Sequence, residues 1–166
     1  MTPPPARRAG SLRTRSSPGR NSREWGGVRV RPPFPRSWLH RAGGHPVTLA
    51  EVMSAINGGP SLPSRPLVLT FDDRYADFAT TAVPDLMANG FIGTDFVISG
   101  FIGHSSYMTA SQIVAVVSDG MVIGAHTETH PDLAAESLAA AWAQIAGSRR
   151  VLMQLTGTMI RDFAYP

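Results

Sequence analysis

The chain has 166 residues and no cysteine, enough for one domain with a buried core, and its composition excludes disulfides and thiolate metal sites. Residues 1–44 hold ten arginines against one acid, Glu24, a net charge of +9, whereas residues 45–166 hold five arginines against eleven acids, a net charge of −6. No run reaches the length and apolarity of a transmembrane helix, and the Arg7-Arg8 pair is not followed by the apolar stretch of an export signal, so neither a membrane span nor a compartment is legible.

Residues 1–44 are poor in apolar groups and rich in Arg, Pro, Gly and Ser, a mixture that buries too little surface to offset its ordering entropy. They are expected to form a disordered basic tail. The tail carries no recognisable nucleic-acid module, so nucleic acid is not an expected partner. The alternative is a basic arm that tethers the chain to DNA or an acidic polymer, and this arm would lose a salt-sensitive association on deletion.

From His45 the punctuation becomes regular. Thr48-Leu49-Ala50-Glu51 reads as a capping box opening a helix to about Ile56, which Asn57-Gly58-Gly59-Pro60 ends. Leu67 to Phe71, apolar and β-prone, reads as a buried strand. A helix is expected from Thr80 to Asn89, with Pro84 in its first turn and Gly90 as its stop. Phe91 to Ile98 reads as a second strand, interrupted by Gly93 and the polar pair Thr94-Asp95.

A second capping box, Thr109-Ala110-Ser111-Gln112, starts a helix that Gly120 ends, and Met121 to Ala125 reads as a third strand. The helix expected from Ser137 to Leu155 puts Leu138, Trp142, Ile145, Leu152 and Leu155 on one face, with Trp142 read as core. Thr158 to Ala164 is read as a fourth strand. Strand and helix alternate throughout, which argues for an α/β architecture with a parallel sheet or barrel.

In parallel α/β folds the chemistry collects where strands end. Asp72-Asp73 follow the first strand, His126-Thr127-Glu128-Thr129-His130 follow the third, and Phe163-Ala164-Tyr165-Pro166 end the fourth. Adjacent carboxylates after a buried strand are costly unless a cation compensates them, and two histidines four apart can converge on that cation. One carboxylate and two imidazoles leave positions open for water and substrate, the arrangement of a hydrolytic metal site. From the residues alone the two aspartates are interchangeable. A phosphoryl-transfer reading of Asp72 leaves the paired histidines without a role.

The segments Leu69-Thr70-Phe71-Asp72-Asp73, His126-Thr127-Glu128-Thr129-His130 and Phe163-Ala164-Tyr165-Pro166 resemble, in order and spacing, the first three motifs of the NodB-homology polysaccharide deacetylases, carbohydrate esterase family 4. The resemblance covers about residues 47–166 and implies a partial deacetylase domain over 45–166, folded as an incomplete (β/α) barrel. It implies that Asp73, His126 and His130 bind a divalent metal, zinc in such enzymes, and that Asp72 is the general base. Thr127 would brace the histidine loop through its hydroxyl, and Tyr165 and Pro166 would shape the substrate groove.

The implied partner is an N-acetylated polysaccharide such as chitin or peptidoglycan. The implied reaction is hydrolysis of its acetamide. A remnant that binds metal or carbohydrate without catalysis is the alternative. Three departures stand out. Arg74 replaces the glycine usual after the second aspartate, and Ala164 occupies the place of an arginine that orients the base. Further family motifs, one holding the base and one supplying a histidine acid, have no counterpart here, so impaired catalysis and a marginal fold are expected. His40, His45 and His104 match no motif and read as solvated.

Overall fold

The computed structural model describes residues 43–73 and 75–166. The expectations for the basic tail, for His40 and for Arg74 fall outside them.

A two-residue strand β1 (His45–Pro46) leads through Thr48 into α1 (Leu49–Ile56). The capping box forms reciprocally: the Glu51 N–H donates to the Thr48 hydroxyl at 3.1 Å, and the Thr48 N–H donates to the Glu51 carboxylate at 2.6 Å. The run read as one strand from Leu67 to Phe71 is two. β2 (Pro66–Leu67) pairs in parallel with β1, whereas β3 (Leu69–Phe71) pairs in parallel with β4 (Gly93–Val97). The segment changes partner at Val68, and no local propensity marks such a change.

The following helix starts earlier than expected. A π turn (Phe78–Ala82) runs into α2 (Val83–Ala88), and the Val83 N–H reaches back to the Phe78 carbonyl. Proline lacks a backbone donor and crowds the carbonyl four residues before it, so the wider π turn lets Pro84 sit inside a continuous helical run. Thr94 and Asp95 do not interrupt β4: both lie within it and are buried. β4 is the central strand and is covered on both faces, so it has no solvent side to which polar residues could turn.

After a 3₁₀ turn (Ser99–Phe101) comes α3 (Ala110–Ser118), opened by the expected Thr109–Gln112 capping box, and then β5 (Val122–Ala125). The main sheet is parallel in the order β3-β4-β5. The fourth strand expected over Thr158–Ala164 reduces to a single parallel bridge, Ala125 to Phe163, flanked by hydrogen bonds from the Ala125 N–H to Asp162 and from the Ala164 N–H to Ala125. Among the described residues the strands do not close a barrel, in keeping with the incomplete barrel expected.

The long helix α4 (Leu138–Thr156) is capped by Ser137 and stopped by Gly157 in the left-handed conformation that glycine adopts freely. The expected packing face holds at its C-terminal end, where Leu152 is buried and Leu155 packs against the core, and fails at its start. Leu138 and Trp142 are 89% and 69% exposed, while Gly147, Ser148 and Leu152 are buried. The first two turns extend beyond the core, so the apolar periodicity there meets no partner among the described residues. Leu152 joins Phe78, Val83, Val97, Ile113, Val116, Ile123 and Ile160 in one apolar core between helices and sheet. No helix among the described residues is long and apolar enough to cross a membrane.

Candidate metal centre

β3 and β5 run parallel, so the segments that follow Phe71 and Ala125 leave the same end of the sheet. There Asp73 Oδ1 lies 3.2 Å from His130 Nε2 and 3.5 Å from His126 Nε2. One ligand atom from each residue falls within 4.8 Å of the others. Asp73 Oδ1 is buried and accepts no hydrogen bond from either ring, although both ring nitrogens are close.

That orphaned oxygen tests whether the residues fit a cation. In a tetrahedral site with bonds of about 2.0–2.1 Å, ligand atoms stand about 3.3 Å apart, between the two separations seen here. Oxygen donor and imidazole nitrogens thus have the spacing of ligands around an ion, without the alignment of a hydrogen-bonded ion pair. The donor set fits a divalent metal.

Each side chain is held by a separate device. His126 is almost fully buried, and its Nδ1 donates to the Ala164 carbonyl at 3.0 Å, which leaves the Nε2 lone pair directed at the shared centre. His130 is exposed, and its ring meets that of His126 edge-on with centroids 4.9 Å apart. Thr127 is fully buried between them. Its hydroxyl donates to the His126 carbonyl and accepts the His130 N–H at 3.0 Å. Its carbonyl accepts the Ser99 N–H at 3.1 Å, and the next carbonyl, of Glu128, accepts the Gly100 N–H at 2.9 Å. A Cβ at position 100 would strike that Glu128 oxygen, so the close approach requires glycine.

The backbone around the centre is strained. Asp73, Thr127 and His130 have φ of 65°, 64° and 58°, left-handed values that cost a non-glycine residue about 1–2 kcal/mol each. From the other side, helix α4 holds the loop. Gln144 Oε1 accepts the N–H groups of Glu128 and Thr129, both at 2.9 Å, and its Nε2 donates to the Thr129 hydroxyl, also at 2.9 Å. The Glu128 carboxylate lies over Gly147, where any Cβ would collide with it.

Asp72, the expected base, is exposed beside Asp73. Tyr165 and Pro166 are exposed, with the Phe163 ring edge-on to Tyr165 at 5.3 Å. His45 Nδ1 donates to the Ser64 carbonyl, and exposed His104 stacks on Phe101, so neither joins the triad. Tyr75 and Tyr107 form an antiparallel bridge with rings stacked 5.3 Å apart. Burial, and after it the neighbouring Tyr75 and Asp73, push the Tyr107 hydroxyl above its ordinary pKa.

A profile of polysaccharide deacetylases matches residues 59–166. The chain belongs to the polysaccharide deacetylase family. It is 26% identical over 129 residues to the putative polysaccharide deacetylase YxkH of Bacillus subtilis (strain 168), covering 78% of this chain and 46% of that protein. Over 52 residues it is 44% identical to poly-beta-1,6-N-acetyl-D-glucosamine N-deacetylase of Escherichia coli (strain K12), covering 31% of this chain and 8% of the relative. Among solved structures it resembles the Streptococcus pyogenes deacetylase PplD in complex with acetate, with a TM-score of 0.74 and 26% identity, over 79% of this chain and 59% of that one. The deacetylase-family chain therefore spans less than half the length of the two curated relatives.

Three contributions to the centre have no signature in the sequence. Ala164 enters through its carbonyl, which any residue would supply, although its motif follows the segment lying beside β5. Gln144 and Gly147 act from a helix that reads only as amphipathic.

Proposed function

We propose that this chain carries the metal-holding half of a zinc-dependent deacetylase acting on N-acetyl groups of an amino-sugar polysaccharide. The observation that carries the reading is the buried, hydrogen-bond-free Asp73 Oδ1 facing Nε2 of both His126 and His130. Membership of the family and the acetylated-glucosamine substrate named for the Escherichia coli relative support the substrate class.

Asp73, His126 and His130 hold the ion. When bound, a divalent zinc ion supplies Lewis-acid polarisation of the acetamide carbonyl and a lowered pKa for water. The Ala164 carbonyl keeps the proton of His126 on Nδ1, so that the imidazole offers its Nε2 lone pair. Asp72 is open to solvent and takes the proton of the attacking water at its carboxylate. The Tyr165 N–H helps balance negative charge as it grows on the acetamide oxygen. The exposed Tyr165 ring and Pro166 offer a surface beside the centre on which the glycan packs.

Calorimetric titration of zinc into the purified chain, alongside Asp73→Asn and His126→Ala, tests the centre. The parent binds one ion and both variants lose it. Acetate release from an N-acetylglucosamine oligomer is measured on the same samples, with Asp72→Asn expected to keep the metal and lose the acetate. A folded parent that binds no zinc sinks the reading. Zinc binding without acetate release restricts these residues to holding the ion and removes the catalytic assignment of Asp72 in this chain.

A further inference from the structure

We infer that Gln144, on helix α4, is a positioning residue for the two imidazoles, which it holds through the backbone of Glu128 and Thr129. The inference rests on the metal reading above and adds a residue that no motif contains.

His126 and His130 bracket three residues, and the ends of this loop are fixed differently. His126 is set by the sheet: its N–H donates to Val97 at 3.0 Å and its Nδ1 to Ala164. His130 has no strand behind it. Its ring is exposed, its backbone is left-handed, and its one tie to the loop's interior is the N–H to the Thr127 hydroxyl. The segment between them is gripped by the Gln144 amide. Two adjacent backbone N–H groups point at one side-chain atom, and only the amide oxygen can accept both, so the donors themselves fix which end of the amide faces them. The nitrogen is then turned to the Thr129 hydroxyl.

The grip is matched by a notch three residues along the helix. Gly147 is buried in the middle of α4, where alanine would favour the helix more, and the Glu128 carboxylate occupies the space a side chain would take. Gln144 and Gly147 thus lie on one face of α4, three positions apart, and together accommodate the backbone and side chain of the loop residue between the ligands. Rotation of the Gln144 amide away from the loop leaves two adjacent N–H groups seeking other acceptors and frees His130 relative to His126. Outer partners that orient metal ligands commonly change affinity 10–100-fold when removed, and this amide holds the loop by three hydrogen bonds.

The test uses the full chain as parent, Gln144→Ala, Gln144→Glu, and Trp142→Ala as a control on an exposed position of the same helix. Three quantities are read: zinc affinity by chelator competition, the visible spectrum of the cobalt-loaded protein, and hydrogen exchange of the Glu128 and Thr129 amides. Gln144→Ala weakens zinc about tenfold or more, alters the cobalt spectrum and speeds exchange at both amides, with an unfolding midpoint close to that of Trp142→Ala. Gln144→Glu restores affinity, because its carboxylate accepts both N–H groups while the Thr129 hydroxyl turns to donate.

Zinc affinity of Gln144→Ala within twofold of the parent overturns the inference, as does unchanged exchange at the two amides. If Gln144→Ala fails to fold, Gln144→Glu decides alone: parent-like affinity supports the clamp and a tenfold loss overturns it. A parent without zinc affinity overturns the metal reading instead. In that event the exchange rates still separate a clamp, which accelerates them when removed, from a bystander, which does not.

Discussion

Replacing Thr127 by valine removes one oxygen and keeps the branched shape, so the left-handed backbone at φ 64° is strained equally in parent and variant and cancels. Two groups lose a partner: the His130 N–H, 3.0 Å from the hydroxyl, and the buried His126 carbonyl that accepts from it. An unsatisfied amide costs about 1–3 kcal/mol and a lost hydroxyl-to-carbonyl bond about 0.5–1.5, so with the His130 amide partly relieved by water the variant loses about 1.5–3 kcal/mol. Thr127→Ser keeps both hydrogen bonds and loses only a buried methyl, about 1 kcal/mol. The difference between the parent and the valine variant isolates the hydroxyl, and the serine variant reports the methyl. Urea unfolding followed by circular dichroism gives both values, provided the slopes agree. Repeating it with zinc at a hundred times the parent's dissociation constant adds about 2.7 kcal/mol to the parent and less to the valine variant. A valine variant within about 0.5 kcal/mol of the parent without zinc would refute the claim that this hydroxyl organises the loop.

Gly147→Ala, which in an open helix gains about 1 kcal/mol, is expected to gain nothing or to destabilise, because the new methyl meets the Glu128 carboxylate; in a Glu128→Ala background the helix gain returns, and an unfolding double-mutant cycle without coupling rejects the packing argument. At α1, the Thr48 N–H and then the Thr48 hydroxyl hold the Glu51 carboxyl below its ordinary pKa. A depressed acid contributes stability above its unfolded pKa and loses it as pH falls through the folded value, so Glu51→Gln is expected to lower the urea midpoint at pH 7 and the difference from the parent to shrink as pH falls toward 3. Equal differences at both pH values would contradict this.

The features legible in the sequence are those that local chemistry decides. Thr48 with Glu51 and Thr109 with Gln112 announce two helices because each pair satisfies its own backbone donors without help from the rest of the chain. The convergence of an aspartate with His126 and His130 is legible because these are costly residues at strand ends that a parallel sheet brings together, while the choice of Asp73 over Asp72 comes only from the family resemblance. What escaped depends on contacts distant in sequence. Leu67 and Leu69 look alike, yet they belong to different pairings. Trp142 has the right period for a core position, but periodicity says which residues share a face and not whether anything covers it. Pro84 marked a helix start, and the π turn that moves that start to Phe78 is a response to the proline rather than a propensity of Phe78-Ala79-Thr80-Thr81-Ala82. At the centre itself the family resemblance points to Thr127 as a brace, but a carbonyl from Ala164 and an amide from Gln144 acquire meaning only once β5 and α4 are placed.

The left-handed backbones at Asp73, Thr127 and His130 set heat tolerance against chemistry at the same positions. Glycine would relax Asp73 and His130 and delete a ligand at each, whereas at Thr127 it would also remove the hydroxyl that ties the loop. Laboratory evolution of this chain that rewarded survival of heating alone would therefore favour substitutions that dismantle the centre, and the most heat-resistant descendants would be those least able to hold an ion.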